Sequence, residues 1–304
     1  MLKIKQYLIY LFICLIFTTN QIAKADDFNK SLNEVRAEIN RDNLQDAIKK
    51  LKKVEISSSL EQDQIDLLFG DIYLKINKPQ KAEEFYQKSF FTSNEEVEAL
   101  TYIGFAEVKL VQGKLNDAIE YAERSIRINS NKVRPKIILA IAKTRIGEGE
   151  EGIKILNDLY ENRKDAEVAL AISDYYSAFD DSKQAIKVLE DYNKRDPKNI
   201  KVLDQLASLH LFDGNKELAI EYKFKVYKYY EFNRNRKKQK EAKSWILSVN
   251  PKYFDKPLKV KKKEKENQKE YEEEEISNYD DNKITPNYEE FAFAPNAHGS
   301  GFIV

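Results

Sequence analysis

Between about residues 28 and 230, apolar residues recur three, four and seven positions apart in short blocks separated by polar turns. The stretch Ala118-Ile119-Glu120-Tyr121-Ala122-Glu123-Arg124-Ser125-Ile126 shows the pattern, which places its apolar groups on one face of an α-helix. Each such block opens on a small residue, at Ala47, Ala82, Ala118, Gly152, Ala185 and Ala219, with intervals of 35, 36, 34, 33 and 34 residues. About five residues upstream of each stands a turn former: Asp42, Asn77, Gly113, Gly147, Asp180 or Gly214. A second amphipathic block precedes the turn and carries its own small residue, such as Gly70, Ala106, Ala140, Ser173 or Ala207. The predicted unit is therefore helix, tight turn, helix, with small residues where the two helices cross closely. A fixed period of this length marks a repeat array.

The repeat resembles the tetratricopeptide repeat (TPR) family. The resemblance is carried by Phe69-Gly70-Asp71-Ile72-Tyr73 with Ala82 and Tyr86, and by Ala118-Ile119 with Ala122 and Ser125. The fifth copy, Ala185 with Leu189 and Tyr192, ends at Asp196-Pro197, where the family commonly has a proline. The first copy is degenerate, with Glu34 at a position expected to be large and apolar, and reads as a cap or a plain helical hairpin. The resemblance implies an all-α fold: a right-handed superhelical solenoid of about six helix-turn-helix repeats over residues 28–231, closed by a C-terminal capping helix over 232–250. It further implies a concave groove, lined by the first helix of each repeat, that takes a peptide or partner helix. Carried over by position, the groove includes Gln64, Leu67, Asp71, Lys75, Ile103, Glu107, Arg134, Ile137, Arg145, Glu167, Asp174, Lys201, Asp204 and Ser208. Some family members clamp a partner's terminal carboxylates with basic and amide side chains. The corresponding inner positions here hold Leu67, Ile103, Ile137 and Leu170, which argues against that mode.

The two ends depart from the repeat. Lys3 and Lys5 precede an unbroken apolar run, Tyr7 to Phe17, and Ala23-Lys24-Ala25 stands immediately before Asp26-Asp27. A basic start, a short apolar run and a small-x-small site predict a secretory signal peptide over residues 1–25, cleaved after Ala25. The run is shorter than the roughly 20 residues of an ordinary membrane span; an uncleaved membrane anchor is the alternative. Cys14, the one cysteine, lies within this leader behind Ile13, where a lipid-attachment site requires a small residue. Export therefore sends the chain to an oxidising compartment, periplasmic or secreted, with no disulfide, so stability rests on packing.

At the other end, Tyr222 to Lys243 interleaves aromatics with cations, including Lys223, Lys225, Lys228, Arg234, Arg236, Lys237 and Lys238. Such a segment can serve as the last repeat's second helix plus a solvated cap, or attract an anionic membrane or cell-wall polymer. Nucleic acid is the least available of these partners to an exported protein. Beyond Asn250-Pro251 the periodicity stops. Lys259 to Lys269 is a lysine block and Glu270 to Glu275 an acidic one, so residues 256–304 read as a disordered charged tail. Its end, Phe302-Ile303-Val304, is the kind of terminus that strand-adding peptide domains capture.

Charge and composition narrow the chemistry. Lys+Arg and Asp+Glu balance at 51 each, but removal of Lys3, Lys5 and Lys24 with the leader leaves 48 against 51, a mildly acidic product. With 2 His and 1 Cys, metal cages, cysteine nucleophiles and histidine acid/base pairs lack raw material, and neither a cofactor nor a catalytic residue is expected. Gly147-Glu148-Gly149-Glu150-Glu151-Gly152 spells G-x-G-x-x-G, yet a dinucleotide site needs a strand before it and tolerates no such cluster of glutamates. His210, in the first helix of the sixth repeat, reads as a packing residue, and His298 has no neighbouring ligand residue. The expected function is a non-catalytic protein-protein interaction scaffold exported to the cell envelope. The alternative is an anionic-surface binder using segment 223–243.

Overall fold

A computed structural model describes residues 26–255. The expected leader at 1–25 and charged tail at 256–304, with its terminal Phe302-Ile303-Val304, lie outside the described residues. Every regular element among those described is an α-helix. They are α1 over 26–40, α2 Leu44–Leu51, α3 Ser59–Lys75, α4 Pro79–Lys88, α5 Glu95–Val111, α6 Leu115–Ile128, α7 Arg134–Arg145, α8 Gly149–Arg163, α9 Ala166–Ala178, α10 Ser182–Asn193, α11 Ile200–Phe212, α12 Lys216–Phe232 and α13 Arg236–Val249. The expected capping helix begins later than 232: α12 runs on through Phe232, and α13 is a separate helix.

The periodic turns have one backbone solution. Asp42, Asn77, Gly113, Gly147, Asp180 and Gly214 adopt φ of 60°, 58°, 73°, 97°, 58° and 80°. The N–H of the following residue reaches back over the helix end, as from Lys78 to the Tyr73 carbonyl at 2.8 Å and from Lys114 to Lys109 at 2.9 Å. The turn residue itself donates one step in, as from Asn77 to Leu74 at 2.8 Å. This pair of bonds satisfies carbonyls that a helix end otherwise leaves orphaned, and it requires a left-handed residue, which Gly, Asn and Asp tolerate best. A seventh instance joins α12 to α13 at Arg234, φ 56°, with Asn235 N–H on the Tyr230 carbonyl at 3.0 Å.

The chain divides into two compact units, one ending at Asn162 and the other starting at Arg163. In the first, α3, α5 and α7 pack on one another as successive first helices, while α2, α4 and α6 pack between and against them. Phe28, Leu32, Val35, Ile39, Ala47 and Leu51 of the first hairpin bury against Ile65, Leu68, Phe69 and Ile72 of α3, so the degenerate first copy is a packed helical hairpin. The period-setting Ala47, Ala82 and Ala118 have no exposed surface. Gly152 is small for the same reason, since an added methyl group would strike Thr144 Oγ1 and the Ala140 carbonyl of α7.

In the second unit, α9 packs on α10 and α11, α11 on α12, and α12 on α13, with Ala185 and Ala219 fully buried. The cap is built from Leu203, Val226 and Ala242, flanked by Ile200, Tyr222, Tyr227 and Tyr230. Ile246 is fully buried, whereas Trp245 stays half-exposed under the Lys223 ammonium, 5.1 Å from its ring centre. No described helix is long and apolar enough to cross a membrane.

Candidate functional site

The best-defined constellation in the first unit begins at a close approach. The Tyr86 side chain of α4 is fully buried between two helices that carry glycine where it touches them: a methyl group built on Gly70 of α3 or Gly104 of α5 would fall within 3.0 Å of its ring. Glycine in a helix interior costs about 0.5–1 kcal/mol relative to alanine, so two of them facing one ring mark a seat cut for that ring. The ring is oriented by its polar end, the Tyr86 hydroxyl donating to Asp71 Oδ1 at 2.8 Å. Asp71 is half-buried as a residue. Desolvation first, and the nearby Glu107 charge second, push its carboxyl up to about 7, against the Tyr86 hydrogen bond and the Lys75 and Arg36 charges. Burial also raises the Tyr86 phenol, with Asp71 and Glu107 adding to the effect.

Glu107 carries the network to the next first helix. It is buried, and Arg134 Nε of α7 donates to its Oε1 at 2.5 Å, with side-chain exposures of 11% for the arginine and 8% for the glutamate. Asp71, Glu107 and Arg134, chosen from positional analogy, thus come together from three successive first helices. The Glu107 and Arg134 charges, however, are spent largely on each other, while Asp71 is held by the Tyr86 hydroxyl. Around them Gln64 and Lys75 of α3 are half-buried and Arg145 of α7 is exposed, its Nη1 donating to the Leu110 carbonyl at 3.3 Å. Leu67, Ile103 and Ile137 belong to the packing more than to a groove surface, at 7%, 9% and 1% exposure. Further pairs tie neighbouring repeats: Lys109 to Glu83 at 2.6 Å and Lys132 to Glu96 at 2.6 Å.

The second unit holds a separate set. Asp174 Oδ1 accepts from Gln205 Nε2 at 2.8 Å, linking α9 to α11. Asp204 of α11 is paired with Lys223 of α12. Lys201 and Ser208 are exposed on α11, and Glu167 is half-buried in the first turn of α9. His210 is buried, its ring stacked on Tyr222 with centroids 5.5 Å apart and its Nε2 3.5 Å from a Glu190 oxygen, the arrangement of a packing histidine. The glycine motif at 147–152 follows the α-helix α7 and starts α8, and Lys143 spans its Glu148 and Glu151 at 2.8 and 3.1 Å. Without a preceding strand it has none of the geometry of a dinucleotide loop.

The basic segment is less uniform than its sequence. Lys223 turns inward to Asp204, Lys225 pairs with Glu221 at 3.3 Å, Lys228 with Glu231 at 2.6 Å and Lys238 with Glu241 at 3.5 Å. Its aromatics are partly spent as well: Phe224 and Tyr227 pack with Tyr253 and Phe254, which follow α13. Arg234, Arg236 and Lys237 remain exposed.

Residues 67–90 match the family model for the tetratricopeptide repeat, a span that includes Gly70, Asp71 and Tyr86 but not Gly104. Among solved structures, the chain resembles TTC0263, a thermophilic TPR protein of Thermus thermophilus, with 16% identity and a TM-score of 0.51 over 62% of this chain and 98% of that one. That likeness establishes the helical-repeat fold. Also similar is PilF of Pseudomonas aeruginosa (13% identity, TM-score 0.44, 73% of this chain and 99% of that one). A third is YrrB, described as a TPR protein with an unusual peptide-binding site (16%, 0.35, 66% and 97%). No curated protein matches in sequence.

Proposed function

We propose that the chain is a non-catalytic protein-binding scaffold whose partner, an extended peptide or a helix, lies along the first-helix face of α3, α5 and α7. The observation that carries this reading is the convergence of Asp71, Glu107 and Arg134 from three consecutive first helices, bordered by Gln64, Lys75 and Arg145. A stack of this kind offers a preformed surface with little backbone to order on binding, which lowers the entropic cost of association. The tetratricopeptide-repeat match at 67–90 supports it, because that family works through protein-protein contact. The locked central charges act as framework, and recognition falls to the more accessible residues around them.

Site-specific photo-crosslinkers test the surface. Placed at Gln64, Lys75 or Arg145, they should yield a discrete adduct in native cells; placed at the exposed second-helix residues Glu123 or Lys154 they should not. Equal capture from both faces would remove the groove as the binding surface.

We further propose that the scaffold is exported to a bacterial cell envelope and cleaved after Ala25, on the strength of Lys3, Lys5, the apolar run 7–17 and Ala23-Lys24-Ala25. Cell fractionation followed by N-terminal sequencing should find Asp26 first in the envelope fraction. Recovery with Met1 in place would make the leader an anchor, and a cytosolic protein would overturn export.

A further inference from the structure

One edge of the second unit carries a cationic array that its sequence neighbours conceal. Arg234, Arg236, Lys237 and Lys240 are exposed and form no ion pair among the described residues, while the cations before and beside them, Lys225, Lys228 and Lys238, are held by glutamates. At 100° per residue, Arg236, Lys237 and Lys240 occupy a sector of about 100° on α13. That sector lies opposite the buried Ala242 and Ile246. The array is held in place: Asn235 Oδ1 caps α13 by accepting the Lys238 N–H at 3.2 Å, and Gln239 Nε2 bonds Glu231 Oε1 of α12 at 3.2 Å.

Beside the cations stand apolar rings. Phe232 is 65% exposed and Tyr229 38% exposed, three residues apart on the last turn of α12, with only the Arg234 turn between Phe232 and Arg236. A soluble polyanion would satisfy the cations and leave Phe232 in water. A lipid headgroup layer satisfies both, taking the guanidinium and ammonium groups at its phosphates and the ring at the acyl boundary. We propose that the α12–α13 turn, through Arg234, Arg236, Lys237 and Lys240 with Phe232, docks on an anionic lipid surface. This site is distinct from the first-helix face and stands whether or not a protein binds there.

The test is co-sedimentation of the chain from Asp26 to Val304, which holds every described residue, with phosphatidylglycerol vesicles and with phosphatidylcholine vesicles. Binding to the anionic vesicles should be at least tenfold tighter and fall steeply with salt. Each cation near such a surface contributes about fivefold, so R236Q/K237Q/K240Q should weaken it by about a hundredfold. Phe232→Ser should weaken it several-fold while leaving binding to soluble poly-glutamate unchanged. All these positions are exposed, so unaltered helical circular dichroism should accompany both variants. Equal binding to the two vesicle types, or an unchanged triple variant, would overturn the proposal. Binding to poly-glutamate as tight as to vesicles, with no effect of Phe232→Ser, would also overturn it by assigning the array to a soluble acidic polymer.

Discussion

The Tyr86 hydroxyl donates to Asp71 Oδ1 at 2.8 Å from a ring lodged against Gly70 and Gly104, so one side chain closes both a packing contact and a polar one. Removing the hydroxyl alone, in Tyr86→Phe, keeps the ring and strands a desolvated carboxyl. The expected loss is about 1–3 kcal/mol in urea unfolding; a loss below about 0.5 kcal/mol would show that water replaces the phenol without penalty.

The same pair sets a pH dependence. Asp71 is raised to about 7 in the folded chain against an ordinary 3.8, so between those values the folded state binds more protons than the unfolded one. The stability this group contributes is then fully present below about pH 4 and is lost as pH rises through 7. The groups acting on it are Tyr86, Glu107, Lys75 and Arg36. Asp71→Asn cannot ionise, so its stability relative to the parent should improve steadily from pH 4 to pH 8. Parallel stability-pH curves for the two proteins would contradict the shift.

Gly70→Ala and Gly104→Ala each push a methyl group into the Tyr86 ring, and overpacking of this sort costs about 1–3 kcal/mol. Combining either with Tyr86→Leu should recover part of the loss, giving a coupling energy above about 0.5 kcal/mol in a double-mutant cycle. Strict additivity would mean that the helices move apart instead.

Arg134→Ala leaves Glu107 buried without its partner and should cost about 3–5 kcal/mol. Arg145→Ala, exposed on the same helix, should change thermal stability by less than about 0.5 kcal/mol. Arg134 is therefore unsuitable as a probe of partner binding, and Arg145 is suitable.

At the left-handed turns, Arg234→Gly should stabilise by up to about 1 kcal/mol because the strain of φ 56° vanishes. Gly113→Ala, at φ 73° with open space around it, should lose about 1 kcal/mol through backbone strain alone. A gain from Gly113→Ala would mean that the turn reorganises.

Much of the fold was legible because each repeat states the same local rule. The six turn formers read from the sequence all take positive φ, and five of the six period-setting positions are alanines with no exposed surface. Local chemistry dictates both, so one chain position suffices to see them. The site was less legible. Positional analogy puts Asp71, Glu107 and Arg134 on one face, but pairing between residues 27 positions apart depends on the stagger of neighbouring helices, which no local pattern encodes. The repeat pattern points to Ala106 as the small residue of α5, whereas the ring of Tyr86 rests on Gly104. The signal for Gly104 is a glycine inside an otherwise strong helical block, which calls for a close neighbour. In the basic segment, Lys225, Lys228 and Lys238 pair with glutamates three or four positions away on their own helices, a spacing visible in the sequence, whereas the inward turn of Lys223 to Asp204 depends on how α12 packs on α11.

The six turns inside the hairpins have a consequence for how such a chain changes over time. Each first helix is capped by backbone bonds within its own hairpin, so excising or duplicating a whole hairpin leaves these caps intact. Copy number can therefore drift in whole hairpins while the residues that recognise a partner evolve on a separate clock.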